Sequence, residues 1–321
     1  MDILPEIDLS ENRITNNTID KLIETLKTTK FKKLNLESVF TKNNKQETFE
    51  ILRKICEVIK ESTNLEELII SKNALGKSSA KALKVFLTNN VNLKHLIIDD
   101  AGLGEGESLS LCKKLQIINL EDNFFTKKTS KMLSRSLANW PDLKQLIIND
   151  CLICKKGVIY ILEVLLKGTN KNIEYLGFQY CSIDENGFYT LASIIKKSLM
   201  LKVVEINGNY SIKKKCMSKL NLVSKKNGTL INGFDDLINE DDEGEEKEGK
   251  EKEGKEKELD DNEVEEIHND MKGKGHDGKE GKEEEGLDVE EEEGDYDEKE
   301  GKEEEGLDVE EEEGDYDGKE E

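Results

Sequence analysis

One apolar pattern recurs eight times within the first 210 residues of this 321-residue chain. The pattern has the form L-x-x-L-x-L, with other apolar residues in place of some leucines. It begins at Leu4, Phe31, Leu65, Leu93, Leu115, Leu143, Ile173 and Leu201. The steps between successive starts are 27, 34, 28, 22, 28, 30 and 28 residues. Because a repeat of this length cannot bury its apolar face alone, the pattern predicts a solenoid of stacked units.

Each unit has two halves with different periodicity. The triplet alternates apolar and polar residues, as around Leu65, Leu68 and Ile70, which predicts a short strand with one buried face. The second half places apolar residues at helical spacing, as in Leu83 and Leu87. Units of about 28 residues leave room for a full helix. We therefore predict an α/β fold, a leucine-rich-repeat horseshoe of ribonuclease-inhibitor type with a concave parallel sheet and convex helices.

A special position lies three residues after the last apolar residue of the triplet. An inward asparagine there can hydrogen-bond backbone groups that the turning chain leaves unpaired. We predict that a structural ladder is formed by Asn12, Asn73, Asn123, Cys151, Cys181 and Asn209. Two units break the period: one carries an insertion around residues 41–47, and the unit from Leu93 has lost most of its helix, leaving a Gly-rich connection at 102–107.

Charge divides the chain near residue 239. Residues 1–238 contain 28 acidic and 36 basic side chains, a net charge of +8, whereas residues 239–321 contain 43 acidic and 12 basic ones, a net charge of −31. The second part has too few apolar residues to offset chain entropy by burial. We therefore predict a domain of about eight repeats over residues 1–238 and a disordered Glu/Lys/Gly-rich acidic tail over residues 239–321.

The sequence contains no segment that indicates secretion, membrane insertion or catalysis. Its first ten residues lack a basic region and a long apolar core, and no apolar run approaches the roughly 18 residues that a membrane span needs. There is no phosphate-binding loop, no nucleophile elbow and no paired histidine and carboxylate motif. These features predict a binding protein without a catalytic centre, a cofactor or a membrane partner.

Six cysteines lie mostly in repeat positions, which favours a reduced compartment over a disulfide framework. Cys151 and Cys154 have the C-x-x-C spacing of some metal sites. However, Cys151 fills the ladder position and no second pair exists, so no metal site is predicted. We also predict no direct binding of nucleic acid, because the acidic tail would compete for any basic surface.

Several motifs go beyond the generic repeat. Leu120–Thr126 reads LEDNFFT, Leu137–Leu146 reads LANWPDLKQL, and Asn149–Ile153 reads NDCLI. Together with Phe40-Thr41 and Gly102-Leu103-Gly104, these stretches resemble the GTPase-activating proteins of the small GTPase Ran. The resemblance covers residues 4 to about 238, and the tail is similar only in composition. The chain is about three repeats shorter than the eleven usual in that family.

The resemblance implies a regulator of an enzyme rather than an enzyme. In this family the repeat domain binds the GTPase beside its nucleotide and supplies no arginine finger, and the GTPase uses its own Gln to position the attacking water. The implied partner is a Ran-type small GTPase in the GTP state, with Ran-binding proteins as further partners. The implied setting is the cytoplasm, with the nuclear envelope as a second location, and the implied process is nucleocytoplasmic transport by a monomeric protein.

Five residues are the candidate GTPase contacts in the strand-to-helix loops. Asn43 stands where the family has a functional Arg, and Asp100 stands where it has a functional Asn. Lys42 and Lys45 flank Asn43 and can replace the charge of the Arg but not its planar fork. The candidate set is Lys42, Asn43, Lys45, Asp99 and Asp100.

An alternative of a different class remains open. An acidic leucine-rich protein of the histone-binding or chaperone type would use the tail to attract basic partners, with an affinity that falls as salt rises. The length of the repeats argues against this alternative, because such proteins use shorter units with fewer helices. A scaffold without GTPase-activating activity is the third possibility.

Overall fold

A computed structural model describes residues 3–90, 92–102 and 112–237 of the chain. Within these ranges nine parallel strands form one sheet in chain order. The strands are β1 (Leu4–Asp8), β2 (Phe31–Asn35), β3 (Glu67–Ile69), β4 (His95–Ile97), β5 (Ile117–Asn119), β6 (Gln145–Ile147), β7 (Tyr175–Gly177), β8 (Val203–Glu205) and β9 (Leu230–Asn232).

In the same described ranges, seven α-helices follow the strands other than β4 and β9, and a short 3₁₀ helix (Asp235–Leu237) follows β9. The α-helices are α1 (Ile19–Thr28), α2 (Lys45–Ile59), α3 (Gly76–Asn89), α4 (Lys127–Leu137), α5 (Lys155–Leu166), α6 (Glu185–Lys197) and α7 (Lys214–Asn227). Neighbouring strands pair in a register that repeats from unit to unit, for example Leu68 opposite Leu96 and Leu146 opposite Leu176. The α/β leucine-rich-repeat solenoid that the sequence predicts is confirmed.

The core lies between the sheet and the helices and is built mainly from the triplets. Leu68, Leu96, Leu146 and Leu176 occupy equivalent middle positions and are fully buried. Trp140, at the turn from α4 into β6, is also fully buried, so it packs in the core rather than facing a partner. Because each unit adds the same layer of side chains, the core runs along the whole stack.

The last strand was not anticipated from the repeat pattern. Leu230 of β9 pairs with Val203, so the position equivalent to Leu201 is occupied by Gly228. Gly228 ends α7 with a φ of 73°, a left-handed conformation that glycine adopts without steric strain. Because Gly228 is used as the helix cap, this unit lacks the first leucine of the apolar pattern. The ninth strand therefore could not be recognised from the sequence.

The structure describes the longer of the two irregular units completely and the shorter one in part. The unit of 34 residues distributes its extra length between a longer loop before α2, a longer helix and a longer return to β3. Asn44 begins α2 by accepting a hydrogen bond from the Glu47 backbone N–H at 2.8 Å. Of the predicted Gly-rich connection after β4, only Gly102 is described, and residues 103–107 lie outside the described residues.

Side-chain hydrogen bonds also join neighbouring units at the turns where a helix leads back to the next strand. Asn90 donates to the Ser62 carbonyl at 3.0 Å, Asn170 donates to the Trp140 carbonyl at 2.7 Å, and Asn227 donates to the Ser198 carbonyl at 3.0 Å. Cys112 makes a longer contact of the same kind to Leu87. These bonds pair backbone carbonyls that burial would otherwise leave unsatisfied.

In the ranges that the structure describes, no helix combines the length and the apolar character needed to cross a membrane. The acidic tail predicted for residues 239–321 lies outside the described residues.

Candidate functional site

All five candidate contacts lie at one edge of the solenoid. In a parallel sheet the carboxyl ends of the strands share an edge, so the loops that lead into the helices lie side by side. Lys42, Asn43 and Lys45 belong to the loop between β2 and α2, and Asp99 and Asp100 follow β4. We call this row of strand-to-helix segments the loop edge.

The loop before α2 is joined to the preceding unit by Asn43 and Arg13. Asn43 donates to the Ile14 carbonyl at 2.7 Å and accepts from Arg13 Nε at 3.5 Å. Arg13 Nη2 also lies 3.4 Å from the Lys42 carbonyl oxygen. The Asn43 side chain is thus used within the structure, whereas the side chains of Lys42 and Lys45 are exposed.

Arg13 was not selected from the sequence. Its side chain is exposed, and its guanidinium lies beside Asn43. The first repeat therefore brings a planar, permanently charged group to the loop before α2. Only the contact between two adjacent loops reveals this, since the residues are thirty positions apart.

A second group is centred on Ser71 and Asp99. The Ser71 hydroxyl donates to the Asp99 carboxylate, which fixes that half-buried side chain across two units. Asp100 is exposed with a φ of 47°, and its backbone N–H donates to the Glu121 carbonyl at 3.0 Å. Lys72 forms an ion pair with Glu37 at 2.6 Å. Glu37 has the main effect in raising the pKa of Lys72, and Asp99 and Asp100 add to it.

The structure therefore places the five candidate contacts in two groups. The Asn43 group lies before α2, and the Asp99 group follows β4. No hydrogen bond or ion pair among residues 3–90, 92–102 and 112–237 joins the Asn43 group to the Asp99 group. They stand two strands apart, which corresponds to about 10 Å at the spacing of a β-sheet. A single protein partner can span both groups, whereas a single small ligand atom cannot.

Acidic side chains continue along the loop edge beyond Asp100. Asp122 and Asp150 occupy the equivalent exposed positions of later units, also with positive φ. Glu121 is half-buried beside them. Burial raises the pKa of Glu121, with further contributions from Asp99, Glu205 and Asp122, while a hydrogen bond from Asn149 acts in the opposite direction. This part of the edge is complementary to a positively charged partner surface.

Exposed apolar side chains accompany the acids. Phe124, Leu152, Tyr180 and Tyr210 are 58%, 65%, 56% and 48% exposed and come from four successive units. Large apolar groups exposed in a row are typical of protein contact surfaces. The repeat pattern did not reveal them, because they fall outside the triplet and the helical face.

The residues selected for the inward ladder lie at their equivalent positions. Asn73 donates to the carbonyls of Leu36, Ile70 and Ser71 and accepts from the Phe40 N–H. Asn123 and Asn209 make the corresponding donations, each to one carbonyl of its own unit and one of the preceding unit. Asn12, in the first unit, is exposed and donates only within that unit, to Leu9 and Ser10.

Cysteines extend this ladder with weaker donors. Cys151 lies 2.9 Å from the Leu120 carbonyl oxygen, and Cys181 lies 3.1 Å from that of Ile148. Burial raises the pKa of Cys151 to about 12, so the thiol stays protonated and can donate. Cys154 is exposed, in a different environment from Cys151. In the described ranges no group of three or more acidic, cysteine or histidine side chains is placed to hold a metal ion.

One position of the ladder holds a residue whose side chain cannot donate a hydrogen bond. Ala101 is buried in the slot of the fourth unit, directly after Asp100. An asparagine there would donate to the Ile70 carbonyl of the preceding unit, which accepts instead from Asn73 of its own unit at 3.0 Å. The ladder is thus weakened at the unit that also carries the shortened connection.

Comparison with known proteins gives one informative similarity. The chain is 23% identical to Ran GTPase-activating protein 1 of Saccharomyces cerevisiae in an alignment of 286 residues that covers 64% of this chain and 70% of the yeast protein. This chain resembles a Ran GTPase-activating protein. No model of a protein family matches it. At this identity the similarity to the yeast Ran GTPase-activating protein supports a distant relationship, and it agrees with the repeat fold.

Proposed function

We propose that this protein is a GTPase-activating protein for a Ran-type small GTPase. The observation that carries the proposal is the similarity to the yeast Ran GTPase-activating protein over 64% of this chain. A loop edge with two polar groups, acidic side chains and exposed apolar side chains supports a protein partner. The protein would be a regulator that has no catalytic centre of its own.

The proposed mechanism leaves the chemistry with the GTPase. The loop edge would bind the GTP-bound form beside its nucleotide and order the catalytic Gln of the GTPase against the attacking water, with no arginine inserted from this chain. Arg13, Lys42 and Lys45 would provide positive charge near one part of the interface. Asp99 and Asp100 would face basic residues of the GTPase.

The similarity is compatible with a shorter repeat domain. Because 64% of 321 residues is about 205, about 80 of the 286 aligned positions have no counterpart in this chain. A difference of this size is the length of about three units of 28 residues, which supports the proposal of a repeat domain shorter than that of the yeast protein. We place the protein in the cytoplasm, where it would keep the GTPase in its GDP form during nucleocytoplasmic transport.

Single-turnover hydrolysis by GTP-loaded Ran, with and without the full chain, tests the proposal. We expect an acceleration of about a thousandfold or more, as is usual for GTPase activators. Binding of Ran-GTP without acceleration would leave a binding protein that lacks the activity. Absence of both binding at micromolar concentration and acceleration would rule out the proposal and favour the histone-binding or scaffold alternative.

Arg13 provides a sharper test within the same assay. Loss of a charge-assisted hydrogen bond to the partner is worth about 1.5–3 kcal/mol, so Arg13→Ala is expected to lower the activation about 10-fold to 100-fold. Arg53→Ala is the matched control, because Arg53 is an exposed arginine on α2. Equal activity of the two variants would show that Arg13 does not contact the GTPase.

A further inference from the structure

A lysine-rich surface lies where α5 and α7 begin. Lys155 and Lys156 are the first residues of α5, and Lys213, Lys214 and Lys215 surround the start of α7. All five side chains are exposed, and none has an ion-pair partner within the described part of the chain. We call these five residues the lysine edge.

The lysine edge does not serve helix stability. Positive charge at a helix N-terminus opposes the helix dipole, and neither first turn contains an acidic residue. Neither helix has a side chain that caps its first N–H groups, whereas Asn44 and Asp184 cap α2 and α6. These lysines therefore destabilise the starts of α5 and α7, and their charges are available to pair with negatively charged groups.

Lys155, in the first lysine group, contacts the segment that leads into the second group. Lys155 Nζ lies 4.3 Å from the centre of the Tyr210 ring, and Tyr210 precedes Lys213 by three residues. Asp184 and Glu185 lie between the two lysine groups at the start of α6, but both are half-buried, and Asp184 caps Gly187 at 3.0 Å. Asp184 and Glu185 therefore neutralise only part of the combined positive charge of the five lysines.

The chain leaves the repeat domain beside this surface. Leu237 is fully buried, and its carbonyl oxygen accepts from the Ile212 N–H at 3.1 Å. Lys213 is the next residue after Ile212. Beyond Leu237, residues 240–246 read EDDEGEE, so six of seven residues are acidic. Glu240 is three residues beyond Leu237, so even a short extended segment of about 10 Å brings it to the start of α7.

We propose that residues 240–246 bind the lysine edge of the same chain. Individual exposed ion pairs contribute only about 0–1 kcal/mol, but a covalent tether this short gives an effective concentration in the millimolar range. The association is therefore multivalent, intramolecular and sensitive to salt. It occupies this basic surface and keeps other polyanions from it. This inference does not depend on GTPase activation.

Lysine reactivity in the full chain tests the proposal. Acetylation by an amine-reactive ester, quantified by mass spectrometry, is compared between the natural chain and a variant in which Glu240, Asp241, Asp242, Glu243, Glu245 and Glu246 are replaced by Gln or Asn. We expect the lysine edge to react at least about twofold more slowly in the natural chain, with the difference lost in 0.5 M salt. Lys225 and Lys226, exposed at the far end of α7, are internal controls.

A matched variant separates local binding from general electrostatics. It carries the same loss of six charges further along the chain, at Glu283, Glu284, Glu285, Glu290, Glu291 and Glu292. We expect this variant to keep the protection of Lys213, Lys214 and Lys215. Equal deprotection by both variants, or no protection in the natural chain, would overturn the proposal.

Carbodiimide cross-linking of a mixture of isotope-labelled and unlabelled chains gives a second readout. Links from residues 240–246 to the lysine edge within one chain are expected, and links between chains would contradict the intramolecular assignment. If RNA binds the natural chain and protects the same lysines better than residues 240–246 do, the lysine edge is a nucleic-acid site and the proposal is wrong.

Discussion

At the scale of single residues, buried side-chain amides decide how the units hold together. Asn73 is almost fully buried and makes four hydrogen bonds to backbone groups of two units. Asn12 occupies the same position in the first unit, yet it is exposed and bonds only within its own unit. The two residues therefore have the same place in the repeat but a different energetic role.

Asn73→Ala is expected to lower the free energy of unfolding by about 2–4 kcal/mol, because several buried polar groups lose their partner. Asn12→Ala is the matched control and should lower it by less than about 1 kcal/mol. Urea unfolding of both full-length variants, followed by circular dichroism, measures the difference. If the two substitutions lower the free energy of unfolding by similar amounts, burial of the amide does not determine how much a ladder residue contributes to stability.

Glu121 gives the loop edge a pH dependence. Because its pKa is raised in the folded chain, the folded state favours the protonated carboxyl, so this contribution to stability is full at low pH and is lost as pH rises through the folded pKa. Glu121→Gln is therefore expected to be more stable than the natural chain at pH 7, with the difference vanishing near pH 4. Thermal unfolding across this range measures the difference, with Asp142→Asn as control, because Asp142 is an exposed carboxylate that does not contribute to the pKa of Glu121.

At the scale of elements, glycines set how closely neighbouring helices approach. A Cβ on Gly157 of α5 would lie 2.7 Å from Ser130 Oγ and 3.0 Å from Ser130 Cβ of α4. The two helices are thus packed with no room for a methyl group. Because the strand spacing is shorter than a helix diameter, neighbouring helices are crowded, and the missing side chain of Gly157 relieves this crowding between α4 and α5.

Gly157→Ala should destabilise the protein by about 1–3 kcal/mol through overpacking, despite the better helix propensity of alanine. Ser130→Ala removes the closest atom, so the double variant is expected to be more stable than the sum of the single effects predicts. A double-mutant cycle in urea tests this coupling. Strict additivity would mean that the α4–α5 contact relaxes without resistance.

The same elements show what sequence reasoning can and cannot reach. Eight strands are predictable because buried leucines recur with a fixed spacing. The ninth is hidden because Gly228 serves as a helix cap where the pattern requires leucine. The loop candidates can be named from a resemblance, but the contact of Arg13 with Asn43 depends on how two loops meet, and no periodicity encodes that geometry.

At the scale of the whole molecule, stability comes from contacts between adjacent units, so it should fall towards ends that have only one neighbour. Ile7 of β1 is half-buried and Ile231 of β9 is 8% exposed, whereas Leu146 at the equivalent position of the interior strand β6 is fully buried. The amides of β6 and β7 are therefore expected to exchange with solvent at least about tenfold more slowly than those of β1 and β9. Hydrogen exchange of the full chain measures this profile, and uniform protection would indicate one cooperative block.

The left-handed residues that end each strand segment carry a consequence for how such a protein changes over evolutionary time. Glu11, Ser38, Lys72, Asp100, Asp122, Asp150 and Tyr180 share this backbone conformation but have no common chemistry. Of these seven residues, six have exposed side chains and Ser38 is half-buried. The scaffold depends on the conformation at these positions and not on the side chains. Partner specificity can therefore drift one unit at a time along the loop edge while the fold beneath it is inherited intact.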